Sequence, residues 1–236
     1  MGQSARVAEV DKAAVRDAAT VILWRGGAEG PEVLMGARGA KAAFMPNKFV
    51  FPGGAVDAAD ADVPLAGAPD ATCLRRLAAR PRAGSAVTPQ ALLAAAIREL
   101  WEEAGLVLGR PGRWDAPAPD WAAFAATGHV PDAAPVRFVF RAVTPPGRPR
   151  RFDARFFLVS AASLSCDPDD FSCAADELSH LQWVPLARAR SFDLPFITQV
   201  VLAEVGPLIA AGGAAPRAGV PMVTNDDPVS SVDRLD

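Results

Sequence analysis

Residues 94–106 read AAAIRELWEEAGL, and the spacing of charge within this stretch decides the reading of the whole chain. An α-helix turns about 100° per residue, so with Glu99 at zero, Glu103 falls near ~40° and Glu102 near ~−60°. Three carboxylates therefore share one arc of about 100°. Leu93, Ile97, Leu100 and Ala104 lie between about 100° and about 160° and make a separate apolar stripe that packs inward. Arg98 sits beside the carboxylates on their far side. A run of glutamates on a helix is ordinarily a solvated face. Here, however, they stand at i,i+3 and i,i+4 spacing, where like charges repel. A cation seated among them removes that cost. Hard divalent ions such as Mg²⁺ or Mn²⁺ take such oxygen ligands, and fill their other positions with water and substrate phosphate.

The helix is bounded clearly. Thr88 is an N-cap, Pro89 takes the first helical position where its missing N–H costs nothing, and Gly105 ends the last turn. Upstream, AATVILW (18–24) is an apolar, β-branched strand, EVLMGAR (32–38) its returning partner, and KFVF (48–51) a third strand halted by Pro52, Gly53 and Gly54. Residues 58–87 change to an Ala-, Pro-, Gly-, Asp- and Arg-rich composition, with one short helix expected in ATCLRRLAAR (71–80), and read as an insertion. Downstream, 109–119 is loop and DWAAFAAT (120–127) a helix. PVRFVFRAV (135–143), RRFDARFFLVS (150–160) and ELSHLQWVPL (177–186) are strands, and 195–211 a last helix. Phe138, Phe152 and Phe156 alternate on these strands as core residues. Residues 1–17 form an N-terminal arm, 18–211 the domain and 212–236 a C-terminal tail. Strands mixed with helices, without regular βαβ alternation, indicate an α+β sandwich.

Composition narrows the function. Half of the 236 residues are hydrophobic, enough for a sizeable core, and the formal net charge is −3. A general nucleic-acid binder would carry a basic excess, so no nucleic-acid partner is expected. Cys73, Cys166 and Cys173 form no CxxC pair, and His129 and His180 have no metal-like spacing. No secretory leader and no membrane-length apolar run stand out, so the expectation is a soluble, cytoplasmic protein without a membrane partner.

The FPGG turn at 51–54 and the glutamate helix together resemble the Nudix box, Gly-x5-Glu-x7-Arg-Glu-U-x-Glu-Glu-x-Gly-U, with U aliphatic. Gly54 stands at one end, and Arg98, Glu99, Leu100, Glu102, Glu103, Gly105 and Leu106 at the other. The box is split: Gly54 and Arg98 are 44 positions apart where the pattern has 14, and the 30 extra residues coincide with the insertion. Eight positions before Arg98 stands Gln90 instead of glutamate, so the usual brace of the arginine is missing there. Asp57 or Asp60 are its substitutes. The split box, with AFMPNKFVFPGGAVDAAD and RRFDARFF, is similar to the long-insert Nudix hydrolases, the branch of the animal peroxisomal coenzyme A diphosphatase. The C-terminus RLD is not a peroxisomal signal.

The resemblance covers residues 18–210 and implies the Nudix fold, a mixed sheet sandwiched between helices. It implies metal-dependent hydrolysis of a nucleoside diphosphate-linked small molecule, with coenzyme A or acyl-CoA split to 3′,5′-ADP and (acyl-)4′-phosphopantetheine. ADP-ribose, NADH and dinucleoside polyphosphates are the alternative substrates, and a non-catalytic nucleotide-binding regulator the alternative class. It also leaves a homodimer open. The site residues implied are Glu99, Glu102 and Glu103 for Mg²⁺ or Mn²⁺, with Glu99, Glu102 and Arg98 in catalysis. Glu177 is an extra carboxylate and a candidate base. Gly53, Gly54, Arg38, Arg151 and Arg155, with Lys41, are candidates for meeting substrate phosphates, where guanidinium offers paired donors.

Overall fold

The computed structural model describes residues 14–39, 46–226 and 229–236. Its framework is a mixed sheet. β1 (Val15–Gly27) runs antiparallel to β2 (Gly30–Arg38) and parallel to β8 (Arg151–Ser160). Beyond β8 come β7 (Arg137–Val143), β10 (Val220–Asp226) and β11 (Val229–Leu235). On the other side β2 pairs with β3 (Phe49–Val50) and β9 (Leu178–Pro185), while β4 (Gly53–Ala55) pairs with the first half of β1. A separate ribbon joins β5 (Gly109–Pro111), inside the stretch read as loop, to β6 (His129–Pro131).

Strand periodicity splits the core into two layers. Ala19, Val21, Leu23, Phe157 and Val159 face α1 (Ala71–Ala78), α2 (Pro89–Ala104) and α3 (Pro119–Ala126). Ile22, Val33, Phe140, Phe156 and Leu158 face α4 (Phe196–Ala210), which contributes Val201, Leu202, Val205 and Ile209. The expected α+β sandwich, a mixed sheet between helices, is what the chain forms. Among the described residues no helix is long and apolar enough to cross a membrane.

α2 begins and ends where its caps place it. Thr88 Oγ1 accepts the Ala91 N–H at 3.1 Å, and Gly105 takes the left-handed conformation, φ 70°. Gly105 could not carry a side chain for a second reason: a Cβ there would lie 2.9 Å from the Cys173 carbonyl carbon.

Three assignments change. Residues 15–17, read as part of an arm, open β1 and pair with Arg151, Phe152 and Asp153 of β8; residues 1–13 of that arm lie outside the described residues. Gly53–Ala55, read as a turn, is a short strand opposite Thr20, Ala19 and Ala18. A Cβ on Gly53 would lie 2.7 Å from the Thr20 Cα, so only glycine lets the two backbones approach this closely. The tail 212–236 contains the β10–β11 hairpin, and β10 extends the sheet beside β7, burying Val220 and Leu235. The insertion is also packed into the domain, with Val63, Cys73 and Leu77 in the α2-side core.

Candidate active site

α2 and β4 build the site from opposite sides. The buried stripe Leu93, Ile97, Leu100 and Ala104 fixes the rotation of α2 against the sheet, which turns Glu103 towards Gly53 and Glu99 towards Gly54, while Glu102 meets Arg98. Glu103 is 2% exposed, and its Oε2 accepts the Gly53 N–H at 2.7 Å. Its Oε1 is buried and has no hydrogen-bond partner among the described residues. Gly54 lies against Glu99, where a Cβ would come within 2.6 Å of the carboxyl carbon. Gly54→Ala therefore has to displace the Glu99 carboxylate. A misplacement on the order of 1 Å in a reacting constellation costs about 100-fold. Hydrolysis by Gly54→Ala is expected to drop by that order with the fold retained, as kcat and circular dichroism would report; unchanged turnover would remove Gly54 from the site.

Arg98 organises the cluster. It is 3% exposed. Its Nη1 donates to Glu99 Oε1 and Glu102 Oε2, each at 2.9 Å, and its Nη2 to the Ala55 carbonyl at 2.9 Å. Nε and Nη2 form a fork onto Asp60, at 3.0 and 3.1 Å. Asp60 is fully buried and completely satisfied: Trp121 Nε1 donates to its Oδ1 and the Asp57 N–H to its Oδ2. Asp57 stands further off, 3.6 Å from Arg98.

The brace that Gln90 does not supply is thus Asp60, one of the two substitutes expected from the sequence, rather than the more distant Asp57. Counting forward from Gly54 instead of back from Arg98 lands Gly-x5-Asp on Asp60, so the extra residues follow the acid of the box. Gln90 serves a different end. Its Nε2 donates to the Val63 carbonyl at 2.9 Å, holding the end of the turn that carries Asp60. The Trp121 contact had no signal in the sequence, because it joins an aromatic on α3 to the box across 61 residues.

Burial sets the electrostatics. It pushes the Glu103 carboxyl up to about 8, with the charge of Glu99 adding and the Gly53 N–H opposing. Glu99 is lifted by burial to about 7 against the pull of Arg98. Glu102 is raised by burial too, and Arg98 again opposes. Burial alone would lower Arg98, but the Asp60 hydrogen bond and the charges of Glu99, Asp60 and Glu102 outweigh it and hold its proton more firmly.

The other candidates separate. Arg38 and Glu177 meet at the edge of the site, Nη2 to Oε1 at 2.7 Å, and Glu177 raises both Glu99 and Glu103 by its charge. Arg155 belongs to an ion-pair cluster of its own. It is 2% exposed and held by Asp17 and Asp153 in a buried cluster with Arg141, so its guanidinium is not open to substrate phosphate. Arg151 sits at the start of β8, donating to the Thr144 carbonyl, away from the glutamates. Phe152, read as core, is only half-buried. Lys41 lies outside the described residues.

The carboxylates share a face without yet converging: among the described residues no three His, Cys, Asp or Glu side chains are gathered closely enough to hold a metal ion. Glu99 and Glu102 are turned onto Arg98 and Glu103 onto Gly53. The residues nevertheless fit one. Three carboxylates, an orphaned buried oxygen on Glu103 and a glycine pair that keeps the cradle open are a hard-cation donor set.

Among solved structures, the chain is similar to a NUDIX hydrolase from Alicyclobacillus acidocaldarius, at 29% identity and TM-score 0.60, covering 84% of this chain and 96% of that one. The chain has the Nudix hydrolase fold. The likeness supports a place in the Nudix superfamily and a pyrophosphohydrolase as the kind of enzyme. More distant similarities include a C. elegans Ap4A hydrolase (16% identity, 84% of this chain and 99% of that one, TM-score 0.45). Another is the NUDIX domain of Shewanella oneidensis NrtR, solved with ADP ribose (12% identity, 83% and 89%, TM-score 0.47). No family model and no curated protein matches the chain.

Proposed function

We propose that this Nudix-fold protein hydrolyses a nucleoside diphosphate-linked small molecule with Mg²⁺ or Mn²⁺, and that coenzyme A or an acyl-CoA is its substrate. The observation that carries the reaction class is Glu103: a carboxylate oxygen buried without a partner, beside two further glutamates on one helix face. The preference for coenzyme A is supported by the split box, in which 30 extra residues part Gly54 from Arg98 as in the long-insert branch.

In this reading Glu99, Glu102 and Glu103 hold the ion. When bound, it offsets charge on the diphosphate and on the leaving group. Arg98 fixes the directions of Glu99 and Glu102 and is itself held by Asp60. Gly53 and Gly54 leave room for the phosphates, and Arg38 donates to one of them. Water adds to one phosphorus, the bridging P–O bond breaks, and the water's proton passes to a carboxylate, Glu99 or Glu177. A domain over 18–211 with its insertion at 58–87 remains the proposed unit, extended at each end by the strands that join its sheet. A non-catalytic regulator is also compatible with the fold; Asp60, paired with Arg98, supplies the acid that Gln90 does not, and so supports the catalytic reading.

Purified protein incubated with coenzyme A, acyl-CoAs, ADP-ribose, NADH and diadenosine polyphosphates tests the substrate by mass spectrometry. Release of 3′,5′-ADP is expected. Silence on coenzyme A with cleavage of ADP-ribose would move the alternative to first place.

The same carboxylates predict a pH effect on stability in chelator-treated protein. Glu99 and Glu103 bind their protons more tightly folded than unfolded, so the stability they contribute is full below about pH 4.5 and is lost as pH rises through about 7 to about 8. The melting temperature should fall across that window, less steeply in Glu103→Gln, and Mg²⁺ should restore it. Parallel slopes in the two proteins would contradict this.

A further inference from the structure

Arg38 and Glu177 are joined by strand pairing as well as by charge. β2 and β9 run antiparallel with Arg38 opposite Leu178, which places Glu177 at the mouth of the pair. Arg38 Nη2 donates to Glu177 Oε1 at 2.7 Å, yet Arg38 Nε is buried without a hydrogen-bond partner among the described residues. A guanidinium carries five donors, so this carboxylate engages only part of it. The Glu177 side chain is 58% exposed and can turn without breaking core packing, whereas that of Arg38 is 19% exposed. An ion pair this open to water contributes little to stability, so parting it costs little. The segment that leads into Glu177 is tied to α2, the Ala175 N–H donating to the Glu102 carbonyl at 2.8 Å, and the charges of the pair are felt there: Glu177 raises Glu99 and Glu103, and Arg38 lowers Glu103. The pair therefore stands within electrostatic reach of an unpartnered acceptor, Glu103 Oε1, while holding an unpartnered donor of its own.

We propose that Arg38 and Glu177 form an exchangeable ion pair. Glu177 covers Arg38 while the site is empty, and turns to the divalent cation when one binds to the α2 glutamates, leaving Arg38 to a phosphate oxygen of the diphosphate. The inference rests on the metal-dependent reading above and deepens it by making one contact the condition of the other. An arginine released in this way can offer two parallel N–H groups to phosphate, a stronger arrangement than its single contact with Glu177.

Isothermal titration of Mn²⁺ into the full chain tests this in wild type, Glu177→Gln, Arg38→Met and the double variant. Loss of Glu177 should weaken Mn²⁺ binding about tenfold, the order seen when a supporting carboxylate is removed. Arg38→Met should tighten it severalfold by freeing Glu177, and that gain should vanish in the Glu177→Gln background. Mn²⁺-loaded wild type should bind methylenediphosphonate at least tenfold more tightly than the metal-free protein does, and Arg38→Met should lose most of that gain. Equal Mn²⁺ affinity in wild type and Glu177→Gln overturns the exchange while leaving the metal reading intact. So does an Arg38→Met gain that persists in the double variant, since that marks a plain field effect. Wild type that binds no Mn²⁺ overturns both. Should Arg38→Met fail to fold, the exposed, near-isosteric Glu177→Gln carries the test alone.

Discussion

Glu103→Gln is expected to abolish nearly all hydrolysis while leaving the protein folded and, above neutral pH, more stable than wild type. The two effects have one cause. Glu103 is 2% exposed, and its proton affinity is raised so far that ionising it works against folding. A glutamine keeps the Gly53 contact through its carbonyl oxygen and removes the charge. Each tenfold change in proton affinity corresponds to about 1.4 kcal/mol, so the gain at alkaline pH should be easily measured by denaturant titration. The loss of activity follows from the same missing charge. A bound metal supplies several kcal/mol of transition-state stabilisation, and each 1.36 kcal/mol is worth about tenfold in rate, so a fall of about a thousandfold is the expected scale. Turnover that survives in the variant, or in EDTA, would dismiss the metal-helix assignment.

Asp60→Ala should be the most destabilising single change in the site. It strands the Arg98 guanidinium, which is 3% exposed, and leaves the Trp121 indole N–H and the Asp57 N–H without an acceptor. Removing one partner of a buried ion pair costs about 3–5 kcal/mol. Activity should fall as well, because Arg98 is what orients Glu99 and Glu102. Gln90→Ala is the control: it removes hydrogen bonds to backbone carbonyls at the end of the same turn, and a net loss of about 1 kcal/mol is its expected scale. Equilibrium unfolding of the three proteins separates the two roles. Comparable losses in Asp60→Ala and Gln90→Ala would deny Asp60 its special position.

Much of the fold was legible because it is written locally. Thr88, Pro89 and Gly105 mark the ends of α2, and the apolar stripe fixes which face the glutamates share, so both could be read before any tertiary contact was known. β4 was not, because two glycines carry no side-chain period, and their place in the sheet depends on how closely the β1 backbone approaches. The β10–β11 hairpin was hidden by its Gly, Pro and Asp content, which reads as a tail until β7 is there to receive it. Arg155 was read as a candidate for substrate phosphate, because an arginine seen in sequence alone shows no partner. Its burial depends on Asp17 and Asp153, two acids that sequence distance separates from each other. Asp60 was legible as one of two substitutes for the acid missing at Gln90; counting back from Arg98 hid only the unbroken spacing from Gly54 that singles it out over Asp57.

The β10–β11 hairpin bears on how the chain can be handled. A protein trimmed at Gly212, where sequence analysis ends the domain, would lose Val220, Met222 and Leu235 from the α2-side core and the Pro216 carbonyl that receives Arg76. It would also strip β7 of its partner at Arg141 and Ala142, which pair with Met222 and Val223, and so bare that stretch of sheet edge. Bare edges of this kind template pairing between molecules. A shortened protein is therefore expected to melt at a lower temperature and to self-associate more readily than the full chain, as a melting curve and light scattering would report.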